Sequence, residues 1–158
     1  MSIALRKTAL TATSLALLAG AAVMATTTEA SATARINACG SSYGFLKSYP
    51  IKAVYWSYDA GETKGYIDVY YSSSTGKNCA IARPMDGINS PRNIKVKIGK
   101  SNSGWADLDG YQANFTKYAG PVYVSARGSC IDFEGGFIYN GSWDPSEAWS
   151  GYAGRHCG

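Results

Sequence analysis

Residues 66–83 read Y-I-D-V-Y-Y-S-S-S-T-G-K-N-C-A-I-A-R, and this stretch decides the fold. In its first half Ile67, Val69 and Tyr71 share one face, and Tyr66, Asp68 and Tyr70 share the other. That period of two belongs to a strand with two different sides. Ser73-Ser74-Thr75-Gly76 then supplies turn-forming residues, and residues 77–83 run back. Two β-rich runs around such a turn predict an antiparallel hairpin.

The same pattern recurs outward from the hairpin. Residues 43–50 and 53–58 read as strands before it, with Asp59-Ala60-Gly61 as a turn. After a loop over residues 84–91, Ile94, Val96 and Ile98 point one way and Lys95 and Lys97 the other. This predicts a half-buried strand with a charged outer face, placed at a sheet edge that Lys protects. Residues 101–104 read as a turn and residues 105–110 as a short irregular strand and loop. In residues 121–127, Val122, Val124 and Ala126 point inward and Tyr123, Ser125 and Arg127 outward. Gly128-Ser129 turns the chain, and residues 130–133 and 137–139 read as two further short strands. Residues 140–154 are polar and Gly-rich and read as loop. Short strands at regular spacing predict one all-β domain, a small disulfide-bonded antiparallel β-sandwich or barrel.

The first 32 residues have a different character. Arg6 and Lys7 form a short positive start, residues 9–24 are apolar and rich in Ala and Leu, and Ala30-Ser31-Ala32 is a small-residue cleavage site. Residues 1–32 therefore read as a secretory signal peptide and residues 33–158 as a single secreted β domain. Thr8, Thr11, Thr13 and Ser14 dilute the apolar run, which falls short of the roughly 20 apolar residues of a spanning helix. No membrane attachment is expected after cleavage.

Beyond the leader, all twelve Tyr, four Trp and four Phe accompany only two leucines, Leu46 and Leu108. That stock suits a β protein and poorly supplies amphipathic helices. Losing Arg6, Lys7 and Glu29 lowers the formal charge from +4 to +3. A dedicated nucleic-acid binder carries a stronger, clustered excess, so no specific nucleic-acid partner is expected.

Four cysteines, Cys39, Cys79, Cys130 and Cys157, in an exported chain read as two disulfides. Three pairings are possible, and we favour Cys39–Cys79 and Cys130–Cys157. Loops of that length contribute about 3–4 kcal/mol each in the chain-entropy description. No C-x-x-C occurs and His156 is the only histidine, so neither metal nor cofactor is expected.

The stretch Y-A-G-P-V-Y-V-S-A-R-G-S-C-I-D at residues 118–132 resembles the spore-associated protein A family. So do Ala38-Cys39-Gly40-Ser41-Ser42-Tyr43, Ser74-Thr75-Gly76-Lys77-Asn78-Cys79 and the terminal His156-Cys157-Gly158. The resemblance spans most of residues 33–158 and is weakest over residues 135–149. It implies small secreted proteins of filamentous actinobacteria, a disulfide-bonded β domain and association with the spore or cell surface. It brings no catalytic residues.

Three function classes follow. The expected one is a secreted, non-catalytic protein of the spore or cell surface, whose partner is a surface polymer. The alternatives are a carbohydrate- or cell-wall-polymer-binding module and a small extracellular hydrolase or nuclease. Polymer binding would use outward aromatic rings and cations: Trp105, Trp143, Trp149, Tyr66, Tyr70, Tyr123, Lys95 and Lys97, with Arg92 and Lys100 extending the basic stripe. A hydrolase would need His156, Glu134 and Arg127 to converge, or Asp132 and Glu134 to act as a carboxylate pair. Asp107-Leu108-Asp109-Gly110 is a fragment of a calcium loop without the remaining ligands, and a solvated turn is expected there. With no serine elbow and no phosphate loop, catalysis is not expected.

Overall fold

The computed structural model describes residues 35–141 and 145–158, so the expected leader lies outside the described residues. Eight strands alternate with turns: β1 (Gly44–Lys52), β2 (Thr63–Ser72), β3 (Lys77–Pro84), β4 (Arg92–Lys100), β5 (Trp105–Asp109), β6 (Ala119–Ser125), β7 (Ile131–Asn140) and β8 (Pro145–Arg155). They form two four-stranded antiparallel sheets, ordered β1-β2-β3-β6 and β5-β4-β7-β8. The chain changes sheet between β3 and β4, between β5 and β6, and between β6 and β7.

The hairpin of residues 66–83 is the centre of the first sheet. Tyr70 pairs with Cys79 and Val69 with Ala80. Ile67, Val69, Ala80, Ala82, Val122 and Val124 from the first sheet meet Ile94, Val96, Ile98, Ile131, Phe133 and Phe137 from the second. Nearly all are out of contact with water. Fully burying a side chain of this kind stabilises by about 1.5–3 kcal/mol, so this interface is the main favourable term. At Gly135 the sheets come so close that a β-carbon would sit 3.0 Å from the Ala82 methyl.

Both open sides of the sandwich are stitched. On one, β5 faces β6. The backbone N–H groups of Tyr123 and Gly120 donate to Asp107 Oδ2 and Asp109 Oδ2, each at 2.8 Å. The Asp107–Asp109 segment is therefore not a solvated turn but a seam. On the other side, Tyr152 Oη donates to the Pro50 carbonyl at 2.6 Å and the Lys52 N–H to Ser150 Oγ at 3.1 Å. Ala53 adds one bridge to Ala148.

Four further sequence expectations are corrected. Residues 53–58 do not form a strand: after the Ala53 bridge the Ser57 and Ala60 amides fold back onto Val54 and Ser57, making a loop with no partner strand. Aromatic strand propensity reflects packing on a pleated surface, and none is offered there. Residues 130–139 are not two strands broken at Gly135-Gly136; these glycines lie inside β7 because neighbours press on both faces. Residues 140–154 hold β8, whose polar sequence is stabilised by its ladder to β7. Finally, β4 is not an edge strand but lies between β5 and β7.

The disulfides are Cys39–Cys79 and Cys130–Cys157, and no described cysteine is free. The first pins residues preceding β1 onto the outer side of the first sheet. Cys39, Tyr70, Cys79 and Ile81 form a second buried cluster there, flanked by Ala38, Tyr43, Tyr118 and Tyr123. Beside it Asp68, wholly buried, accepts from Arg83 Nε at 2.6 Å and from Ser48 Oγ at 2.5 Å.

Candidate polymer-binding face

The eight polymer-contact residues expected from sequence do not form one surface. Tyr66, Tyr70 and Tyr123 sit on the first sheet, and most of their surface is already used. Tyr70 is only 2% exposed, with its hydroxyl donating to the Ile36 carbonyl. Tyr123 is half-buried against Tyr43 at 5.6 Å, and its hydroxyl donates to the Cys39 carbonyl. Tyr66 is half-buried beneath the Arg83 guanidinium, 5.2 Å from its ring centre. The outward pattern is there, but residues 35–43 cover much of that face. Trp143 lies outside the described residues.

Trp105, Lys95, Lys97 and Trp149 belong to the second sheet. Strand register carries them onto one outer face. Lys97 stands beside Leu108 on β5 and Glu134 on β7, and Glu134 stands beside Gly151 on β8. One row over, Lys95 stands beside Gly136, and Gly136 beside Trp149. Gly136 is required at this point: a β-carbon there would collide with the Trp149 indole, which lies against the bare backbone. With strands about 4.8 Å apart, the face runs roughly 14 Å from β5 to β8.

Cations and rings interleave on it. Lys97 Nζ lies 4.3 Å from the Trp105 ring centre and forms an ion pair with Glu134. Lys95 Nζ lies 5.3 Å from the Tyr111 ring, which Lys97 also approaches at 6.0 Å. Burial is the largest influence on the Tyr111 hydroxyl and raises its pKa, against the opposing charge of Lys97. Trp105 is 46% exposed, and Leu108 and Tyr111 are exposed beside it. Each cation thus steadies a ring that keeps a free surface, an arrangement suited to stacking plus charge. Tyr111 and Leu108 were missed from sequence because both lie in short irregular segments without alternation. Arg92 joins less directly, with Nη1 donating to Asn140 Oδ1 at 2.8 Å.

Each candidate hydrolytic group is engaged with partners of its own. His156 Nε2 is hydrogen-bonded with Tyr49 Oη at 3.1 Å, and its ring packs edge-on to Tyr49. Burial, then the charges of Lys47 and Arg155, lower its pKa. It helps line a cavity of about 260 Å³ with Tyr71, Asn78 and Ala126. Arg127 Nη2 donates to the Ser73 carbonyl at 2.8 Å, while Glu134 is paired with Lys97. Asp132 accepts from Ser101 Oγ and from the Gly154 N–H, and these bonds keep its carboxyl below the usual range. Among the described residues no cluster of three or more His, Cys, Asp or Glu could hold a metal.

The fold and this face define a class: a disulfide-bonded antiparallel β-sandwich with an aromatic–cationic outer sheet. No family model matches the chain, and no solved structure matches it. The chain is 37% identical over 130 residues to spore-associated protein A of Streptomyces coelicolor, a match covering 82% of this chain and 71% of that relative. The chain belongs to the spore-associated protein A family.

Proposed function

We propose that this is a secreted, non-catalytic protein of the spore or cell surface that adheres to an anionic surface polymer through the outer face of the β5-β4-β7-β8 sheet. The observation that carries this reading is Trp105, half exposed with Lys97 over its ring, on the same sheet face as Lys95 and Trp149. Rings would stack on the repeat units, and Lys95 and Lys97 would attract the charge. The relative's name supports a spore association, and two disulfides suit an oxidising, extracellular setting. The separate partners of His156, Glu134 and Arg127 support the absence of catalysis.

Pull-down on purified spore walls and peptidoglycan tests the adhesion. Retention should fall in Trp105→Ala and in Lys95→Ala, and should weaken with salt, since exposed charges are screened. Retention on neither support would leave a structural role without a defined ligand. For catalysis, wild type, His156→Ala and Glu134→Ala are assayed on RNA, peptidoglycan and casein. Turnover by wild type that collapses in either variant would reverse the non-catalytic reading.

A further inference from the structure

Among the described residues, the most exposed aromatic rings are not on that sheet. They are Tyr55, Trp56 and Tyr58, exposed to 85%, 62% and 83%, in the loop between β1 and β2. Tyr55 and Trp56 meet edge to face at 4.6 Å, which leaves further ring faces open. Three such rings within four residues are a large apolar outlay on a surface, and exposed patches of this kind mark binding sites.

The loop is held from beneath. Ser57 turns inward, its Oγ donating to the Glu147 carbonyl at 3.2 Å and accepting from the Glu147 N–H at 3.3 Å. The Val54 N–H donates to Glu147 as well, and Gly61 and Glu62 amides close the turn onto Ala53 and Asp59. Asp59 accepts from Tyr139 Oη at 2.7 Å and pairs with Lys64 at 2.5 Å. The rings are therefore presented on a fixed support, which lowers the ordering cost of binding.

Charge narrows the ligand. Asp59 and Glu62 both pair with Lys64, leaving Lys52 at the loop's base as the one flanking cation with no ion pair among the described residues. No basic cluster attracts a polyanion or an anionic bilayer, and no Leu, Ile or Phe is present to enter an acyl layer. What remains is flat, exposed rings bearing two hydroxyls, with no described cavity lined by them to demand a small ligand. We propose that Tyr55, Trp56 and Tyr58 form a second binding site, which stacks on the uncharged sugar rings of an extended, insoluble polysaccharide.

The test is sedimentation of the secreted, disulfide-bonded protein with chitin and with cellulose, beside phosphatidylcholine vesicles, with gel filtration of the protein alone. The expected result is retention on at least one polysaccharide that persists in high salt. Trp56→Ala should weaken it roughly ten-fold, as loss of an anchoring aromatic does, with Trp56→Tyr restoring part of it. Persistence in high salt separates this site from the sheet face, whose retention weakens with salt. Tyr58→Ala serves as the second loop variant if Trp56→Ala does not fold. The proposal is overturned by no retention on either polysaccharide, by equal retention in the loop variants, or by loss on Trp105→Ala alone. It is equally overturned if the loop variants instead abolish vesicle binding or a dimer seen by gel filtration.

Discussion

Asp107 Oδ2 accepts the backbone N–H of Tyr123 at 2.8 Å, joining an edge strand of one sheet to an edge strand of the other. Its second oxygen accepts from the Leu108 N–H at 2.9 Å, and Asp109 repeats the arrangement with Gly110 and Gly120. An amide side chain offers only one oxygen, so Asp107→Asn must set an N–H donor against an N–H donor. We expect Asp107→Asn and Asp109→Asn each to cost about 1–2 kcal/mol, read as a lower thermal midpoint. Millimolar calcium should not raise the wild-type midpoint, because the carboxylate oxygens are already engaged. A clear calcium-dependent rise would show that the seam is instead a cation site.

Asp68 and Arg83 form a buried ion pair on the outer side of the hairpin, capped by Ser48 and the Tyr66 ring. Breaking such a pair by removing one partner leaves an uncompensated charge. Asp68→Ala should cost about 3–5 kcal/mol, and the double variant Asp68→Ala with Arg83→Met should recover part of that loss. Arg83 Nη1 is buried with no hydrogen-bond partner among the described residues, so the pair is not ideally satisfied. Chemical denaturation of the three proteins checks the sign; a double variant worse than the single one would contradict it.

How much of this was legible follows from what each signal measures. Alternation at residues 66–72 and 94–98 reports burial on one face, and those residues do line the core: Ile67, Val69, Ile94, Val96 and Ile98 are all fully buried. β8 was not legible, because its glycines and polar residues owe their strand conformation to the ladder with β7. Alternation also cannot say which face something else covers, so Tyr66 and Tyr70 read alike although Tyr70 is buried in the cluster around Cys39–Cys79. The loop at Tyr55–Trp56 misled for the opposite reason: ring-rich composition suggested packing where there is none.

The two disulfides should differ in what their loss exposes. Sequence separations of 40 and 27 give each about 3–4 kcal/mol in the chain-entropy description. Cys39→Ser with Cys79→Ser also frees the segment covering Tyr70, so amide exchange should rise at residues 36–43. Cys130→Ser with Cys157→Ser should raise it near His156 instead. Exchange that rises uniformly in both would show that neither bridge acts locally.

His156 should make the C-terminal end acid-sensitive. Its folded pKa is below the ordinary 6.5, chiefly through burial and then through Lys47 and Arg155. Tyr49 and Tyr152 also face this region. A depressed value means the neutral ring is the stabilising form: its contribution is complete above pH 6.5 and is lost as pH falls through the folded value. His156→Gln should flatten stability below pH 6.5 relative to wild type. Parallel curves for the two proteins would exclude His156 as the source.

Tyr139 and Asp59 should give the opposite, alkaline dependence at the base of the aromatic loop. Burial, reinforced by donation to Asp59, pushes the Tyr139 hydroxyl from 10.0 to about 12. Burial works against ionised Asp59 too, but hydrogen bonds from Lys64 and Tyr139 outweigh it and hold that carboxyl below its usual 3.8. For Tyr139 the raised value means the protonated form stabilises the fold. Its contribution is complete below pH 10 and is lost between pH 10 and about 12 as the folded group ionises. Other tyrosines, including Tyr49, Tyr70 and Tyr152, are also raised, so wild type alone cannot isolate the effect. The informative quantity is the difference between wild type and Tyr139→Phe, which loses the bond to Asp59 and costs roughly 1 kcal/mol at neutral pH. That difference should shrink as pH rises from 10 to 12, because wild type there loses what the variant never had. Denaturation at pH 8, 10, 11 and 12 measures it, with tryptophan emission reporting whether the loop around Trp56 loosens in step. A difference that stays constant across this range would show that the Tyr139 hydroxyl does not secure the loop.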